Sequence, residues 1–339
     1  MLRLGVFLLA IIVTAMALTR VPAVQDGLLN FAAPRVLATD FGESEHLRVY
    51  VCGSASPLGN SPSRAQACIA VITPDHFYLF DSGDASTNNL MRDGFPMERL
   101  DGVFLTHFHS DHIADLPDIK LNSWVAGRPH KLKIFGPKGV SKVVDGFNLA
   151  YTLDNDYRTA HHGEALLPRE LSELVAETIE VGVVFDQDGL KVSMFEVVHD
   201  PIDPAVGYLV EYQGRRVVIS GDSIVTDKTF EVAKGADLVF HDVLSPDALR
   251  PLIAAADKTG QDRLSTIMTD VFDYHADIDK LQQASQAAGV KQLVFYHMVP
   301  TPTNPIMDWI WQRDLDSNTV IADDGMVFEL PAANQLLAK

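Results

Sequence analysis

Three imidazoles and one carboxylate fall within six positions of this chain, as His107, His109, Asp111 and His112 of Thr106-His-Phe-His-Ser-Asp-His112. Such a density of nitrogen and oxygen donors points to a metal site rather than to a polar loop that happens to be rich in histidine. The apolar run Val103-Phe-Leu105 leads directly into it, so the donors sit where a buried strand opens into a loop. His107 and His109 are two apart, and in an extended segment their side chains leave on one face. Asp111 and His112 fall where the chain turns into the next helix and point to a neighbouring position. One short segment can therefore serve two ions lying side by side.

Three further runs of strand length end on a donor. Val192-Ser-Met-Phe-Glu-Val-Val198 is followed by His199, Arg216-Val-Val-Ile-Ser220 by Gly221-Asp222, and Gln292-Leu-Val-Phe-Tyr296 by His297. Open α/β sheets gather their sites just outside the strand ends, so these residues can converge. Imidazole nitrogen and carboxylate oxygen suit zinc, with iron or manganese as alternatives on the same donors.

The segment His-x-His-x-Asp-His, followed by single His, Asp and His residues in that order, closely resembles the metallo-β-lactamase-fold hydrolases. Within them it is most similar to the ribonuclease Z and arylsulfatase-like branch, through Gly53-Ser-Ala-Ser-Pro57, Arg64, Phe80-Asp-Ser-Gly83, Ser220-Gly-Asp-Ser223, Phe240-His-Asp242 and Asp273-Tyr-His-Ala276. The resemblance covers about residues 47–300. It implies an α/β fold, a four-layer αββα sandwich, with two Zn2+ ions. His107, His109 and His199 would hold one ion, Asp111, His112 and His297 the other, and Asp222 would bridge them. Two such ions share a water or hydroxide and lower its pKa enough to make a nucleophile near neutral pH. Asp111 is expected to orient that water.

The resemblance also makes His275 a catalytic residue that binds the scissile group or protonates the leaving group, a task suited to an imidazole. Ala276 stands where the family has a small polar residue. His241 and Asp242 take the place of a His-Glu pair in relatives, and Asp242 is expected to orient His275. Arg64 is expected behind the ligands or in contact with substrate. The remaining histidines read as peripheral. His46, His76 and His130 lie in polar or turn-like surroundings, and His161 and His162, near Arg158 and Gly163, read as a surface loop or as a lid over the site.

The elements that must position these residues are legible as alternating runs. Cys68–Ile72 and Phe77–Phe80 flank Thr73-Pro-Asp-His76, and Val206–Tyr212 and Arg216–Ile219 flank Gln213-Gly214, as two hairpins. A helix follows His275, with Ile278, Leu281, Ala284 and Ala288 at helical spacing and Gly289 as its stop. Between Gly136 and Val192 the pattern thins, which reads as an inserted helical or loop segment. The domain organisation expected is a signal peptide or membrane anchor over 1–31, a linker over 32–46, one hydrolase domain over 47–330 and a tail over 331–339. Leu4 to Leu18 is nearly unbroken apolar sequence between Arg3 and Arg20, and cleaved export and a retained anchor stay equally open. Either one places the enzyme in the periplasm or otherwise outside the cytoplasmic membrane. There a Cys52–Cys68 disulfide between the first two strands is plausible. Trp309 and Trp311 read as a C-terminal helix packing on the core, and a homo-oligomer stays open.

The chain has 27 basic and 45 acidic residues, a net charge of −18, and no basic cluster. Proteins that grip nucleic acid by its phosphates normally show a basic face, so nucleic acid is not the expected partner. The expectation is a dinuclear zinc hydrolase of small anionic or aryl esters, phosphodiesters or sulfate esters. The alternatives are a carboxylic ester, lactone or β-lactam hydrolase, a ribonuclease Z-like 3′ tRNA endonuclease, and a metal-bound binding module without turnover.

Overall fold

A computed structural model describes residues 18–36, 41, 45–58, 61 and 63–333. Fourteen strands run in chain order as β1 (Leu47–Gly53), β2 (Cys68–Ile72), β3 (Phe77–Phe80), β4 (Gly102–Phe104), β5 (Leu132–Gly136), β6 (Leu174–Thr178), β7 (Gly182–Gln187), β8 (Leu190–Glu196), β9 (Val206–Tyr212), β10 (Arg215–Ile219), β11 (Leu238–Leu244), β12 (Gln292–Val299), β13 (Thr319–Ile321) and β14 (Val327–Leu330). They form two seven-stranded sheets, ordered β14-β1-β2-β3-β4-β5-β6 and β13-β12-β11-β10-β9-β8-β7. Each sheet is antiparallel on one side and parallel on the other, with β3 through β6 parallel in the first and β10 through β13 parallel in the second.

The strands are apolar on both faces because both faces are covered. In β3, Tyr78 and Phe80 join the layer between the sheets, where they meet Phe104, Tyr208 and Phe240. The alternate residues Phe77 and Leu79 face outward with Val103, Leu116, Ile119 and Val140. On the second sheet Val294 and Tyr296 point inward, while Leu293 and Phe295 pack outward with Phe230, Leu281 and Trp311. Helices Leu116–Val125 and Val140–Ala150 thus cover one sheet, and Asp227–Val232, Ile278–Ala287 and Pro305–Trp311 the other. This is the αββα sandwich. Each fully buried large side chain contributes about 1.5–3 kcal/mol to it.

Four details depart from the sequence reading. The stretch between Gly136 and Val192 is not one insertion, because besides helices Val140–Ala150 and Thr152–His162 it supplies β6 and β7, an edge strand for each sheet. Both strands are only partly buried, so they carry little apolar signal. His76 is buried rather than solvated, with its ring nitrogens 3.6 Å from Asp101 and 3.5 Å from Asp188. β12 does not stop at Tyr296 but runs through His297 to Val299. Near the N-terminus a helix, Pro22–Val36, crosses the expected boundary at residue 31. The apolar run before it lies outside the described residues up to position 17, and no helix among the described residues is long and apolar enough to cross a membrane.

Cys52 and Cys68 are joined in a disulfide where the β1–β2 register shifts. It closes the base of the loop that carries Ser56, Pro57 and Leu58. The Asp324 carboxylate pins the same loop by accepting from Ser54 N at 3.0 Å, Ala65 N at 2.6 Å and Asn89 Nδ2 at 2.8 Å. A bridge spanning 16 residues restricts the unfolded chain by about 3 kcal/mol. The double variant Cys52→Ser/Cys68→Ser is therefore expected to lose about that much stability in urea unfolding. A midpoint that did not move would show that the bridge contributes nothing to the loop.

Candidate metal centre

The donors converge at one end of the sandwich, past the ends of β4, β8 and β10 and within β12. Two of the turns that bring them there are made by residues in the left-handed backbone region, Asp81 at φ 59° and His297 at φ 45°. Neither is glycine, so each conformation costs free energy that the surrounding contacts must offset. Asp81 lies just past β3 and accepts from Thr106 N, Thr106 Oγ1 and His112 Nδ1, all at 2.8 Å. His297 sits where the β11–β12 register slips, which frees its ring from the sheet to reach Asp111. The two halves of the molecule meet at Gly221, whose φ is +64° and where a Cβ would lie 2.7 Å from that of Thr106. Only glycine fits this approach.

Two donor groups result. His107, His109, His199 and Asp222 bring one ligand atom each within 4.8 Å of one another, and so do Asp111, His112, Asp222 and His297. Asp222 is common to both. Its Oδ2 lies 3.9 Å from His107 Nε2, 3.8 Å from His199 Nε2, and 3.3 Å from both His112 Nε2 and His297 Nε2. Three of the outward nitrogens have partners. His112 Nδ1 bonds Asp81, His199 Nδ1 donates to the Tyr274 carbonyl at 3.0 Å, and His107 Nδ1 is 3.1 Å from Thr106 Oγ1. These partners fix the rings so that the other nitrogen faces the cluster.

The charges there are unsettled without a cation. Burial holds the His107, His109 and His199 imidazoles below their ordinary range. Burial acts the same way on His112 and His297, but the Asp222 carboxylate and those beside it outweigh it and push both up. Asp222 is held well below the carboxylate range by His297 and His112 against the effect of burial. His112 Nε2 and Asp222 Oδ1 are buried without a hydrogen bond among the described residues. His107 Nε2 and His109 Nδ1 lie 3.0 Å apart, two ring nitrogens converging on one point. Buried polar atoms left this way need a partner, and divalent ions at the two positions would supply it.

A third group extends the cluster. Asp222, Asp242 and His275 also converge, and Asp242 lies between two rings. Its Oδ2 accepts from His275 Nδ1 at 2.8 Å, and its Oδ1 is 2.9 Å from His241 Nδ1. The shorter carboxylate therefore reaches His275. The His275 ring centroid is 5.4 Å from that of His199 and 5.3 Å from that of His297. A cavity of about 360 Å³ opens onto His109, Asp111, Asp222, His275 and His297. Arg64 does not line it. Its Nη1 donates to Ser54 Oγ and the Ala322 carbonyl, bracing the loop behind the site. His161 and His162 end an exposed helix and are not in the lining either. Asp81 was legible only as part of a supporting motif, although it carries the same signal as the ligands, an acid directly after an apolar strand.

The model of the beta-lactamase superfamily domain matches residues 79–298. Ribonuclease Z of Mycobacterium bovis is 32% identical over 259 residues, which is 75% of this chain and 86% of that protein. Ribonuclease Z of Mycobacterium marinum is 32% identical over 257 residues, 75% of this chain and 87% of that protein. The crystal structure of the short form of human tRNase Z superposes with a TM-score of 0.59 at 20% identity, covering 84% of this chain and 99% of that one. The chain is a hydrolase-family protein that belongs to the beta-lactamase superfamily and, within it, to the ribonuclease Z family.

These relatives correct two expectations. Proteins named for cleaving RNA overturn small phosphodiesters or sulfate esters as the leading substrate class, and with it the exclusion of nucleic acid. Net charge describes the whole surface and not a site. Two divalent ions would add four positive charges beside the carboxylates of Asp111 and Asp222, enough to attract a phosphate locally.

Asp81 buttresses three groups of the centre at once. Replacing it with Asn is expected to weaken metal affinity roughly 10- to 100-fold, most at the position served by His112. Competitive chelator titration would measure this, and unchanged affinity at both positions would remove Asp81 from the account.

Proposed function

We propose that this protein is a zinc-dependent endoribonuclease that hydrolyses a phosphodiester bond of a precursor RNA, a reading supported by relatives named ribonuclease Z. The observation that carries the reading is His275, which lines one cavity with the donor cluster and is held from behind by the buried Asp242. Bound at the two donor groups, a pair of divalent ions supplies Lewis-acid charge and lowers the pKa of a water, which suits in-line attack on phosphorus.

The chain's own residues account for the rest. Asp111, next to the cavity, holds its carboxylate ionised through His112 and His297, which prevail over burial, so it can accept a hydrogen bond from the attacking water. His275 is tethered through Nδ1, which leaves Nε2 as the atom able to pass a proton to the departing ribose oxygen. Asp242 fixes that orientation and compensates the positive charge of the ring in its proton-bearing form. It also accepts from Ser223 N at 3.1 Å, so it cannot swing away. Phosphodiester cleavage needs both roles at once because the leaving group is a poor one until it is protonated.

The test is cleavage of a precursor tRNA transcript by the zinc-loaded full chain. His275→Ala should lower kcat roughly 10²- to 10⁴-fold with zinc content retained. Asp242→Asn should lower it less, because the ring remains and loses only its anchor. Uncut RNA would overturn the nuclease reading, and a fully active His275→Ala would overturn the assignment of the proton donor.

A further inference from the structure

The cavity at the metal centre has two unlike sides. One is the donor cluster, and the other is an apolar wall made by Leu58, Ile267, Val271, Tyr274 and Val299. No lysine or arginine lines the cavity among the described residues. A phosphate bound there would be held by the metals and histidines alone, and whatever flanks it would meet hydrocarbon and one aromatic ring.

Tyr274 is fixed in this wall by the centre itself. Its carbonyl accepts from His199 Nδ1 at 3.0 Å, and its ring meets the His199 ring at 5.2 Å and 84°. On the other side its ring lies 4.9 Å from that of His275. The ring therefore holds a set distance from both the cluster and the proton donor. Beyond Leu58 the apolar surface continues into a second cavity of about 490 Å³, lined among others by Leu252, Leu264, Met268 and Pro300. The helix Asp262–Asp270 separates the two, contributing Ile267 to the first and Leu264 and Met268 to the second.

Resting on the nuclease reading above, we propose that this wall is a base-holding subsite. An unpaired nucleotide next to the scissile phosphate seats its base against Tyr274, Ile267 and Leu58, and Tyr274 is the positioning residue. Bases in a duplex are stacked and paired and cannot turn onto such a wall, whereas unpaired bases stack readily on aromatic side chains. Among the described residues the wall carries no cationic side chain to pair with a second phosphate, which favours a base as its occupant.

The experiment uses the zinc-loaded full chain and an RNA hairpin with a 3′ single-stranded extension. The nucleotide on each side of the cut is replaced in turn by an abasic residue. Removing the base on one side should raise KM roughly tenfold, in line with the worth of one base–aromatic stack. Tyr274→Ala should raise KM by a similar factor on the intact RNA and abolish the sensitivity to that base, and Tyr274→Phe should restore most of both. Because the abasic arm uses the wild-type protein, it stands even if Tyr274→Ala disturbs His199. Normal cleavage with a KM indifferent to both bases, or losses from the variant and the abasic RNA that multiply, would overturn the subsite and leave the nuclease reading standing. RNA left uncut by the wild type would overturn both.

Discussion

The structure is organised around a single buried carboxylate oxygen. Asp222 Oδ2 has four imidazole nitrogens within 3.9 Å, and Asp222 is 2% exposed. In water such a group would be solvated, but here the dielectric is low and each unmatched donor or acceptor costs free energy. Burial holds the His107 imidazole below its ordinary range, while Asp222 pushes His112 and His297 up against burial. Divalent cations at the two donor groups would supply the missing partners, and the cluster is suited to hold them.

Much of the architecture follows from gathering these donors. Strand ends from both sheets must reach one point, and the sandwich allows this because its parallel regions lie side by side across the central core. Reaching that point requires local exceptions. Asp81 and His297 adopt left-handed backbone, β11 and β12 slip register, and Gly221 lets the two halves touch. The well-packed aromatic layer of Phe80, Phe104, Tyr208 and Phe240 supplies the stability these exceptions consume. Orientation is secured one layer further out, by Asp81 on His112, by the Tyr274 carbonyl on His199 and by Asp242 on His275.

The fold and the donor set were largely legible in the sequence, because both rest on signals local to the chain. Apolar runs of strand length ending in His or Asp mark β8, β10 and β12 and their donors, and the alternating hairpins have the expected partners. What was hidden depends on distant contacts. β6 and β7 are half-exposed edges with no strong pattern, and the burial of His76 comes from Asp101, Asp188 and Phe185 folding around it. Arg64 could be read as lying behind the ligands or as touching substrate, and its contacts with Ser54 and Ala322, the latter distant in sequence, decide for the first. Substrate was the hardest to read. An overall charge of −18 reports the whole surface, while the field that matters arises from ions the sequence does not encode as charge.

The central claim is that the centre works as a pair of ions sharing Asp222. Its most direct test is a zinc titration of metal-free protein in which bound zinc per chain and RNA cleavage are followed together. The account predicts two ions per chain, with cleavage appearing as the second position fills. Saturation at one ion, or full cleavage with one or none bound, would contradict it.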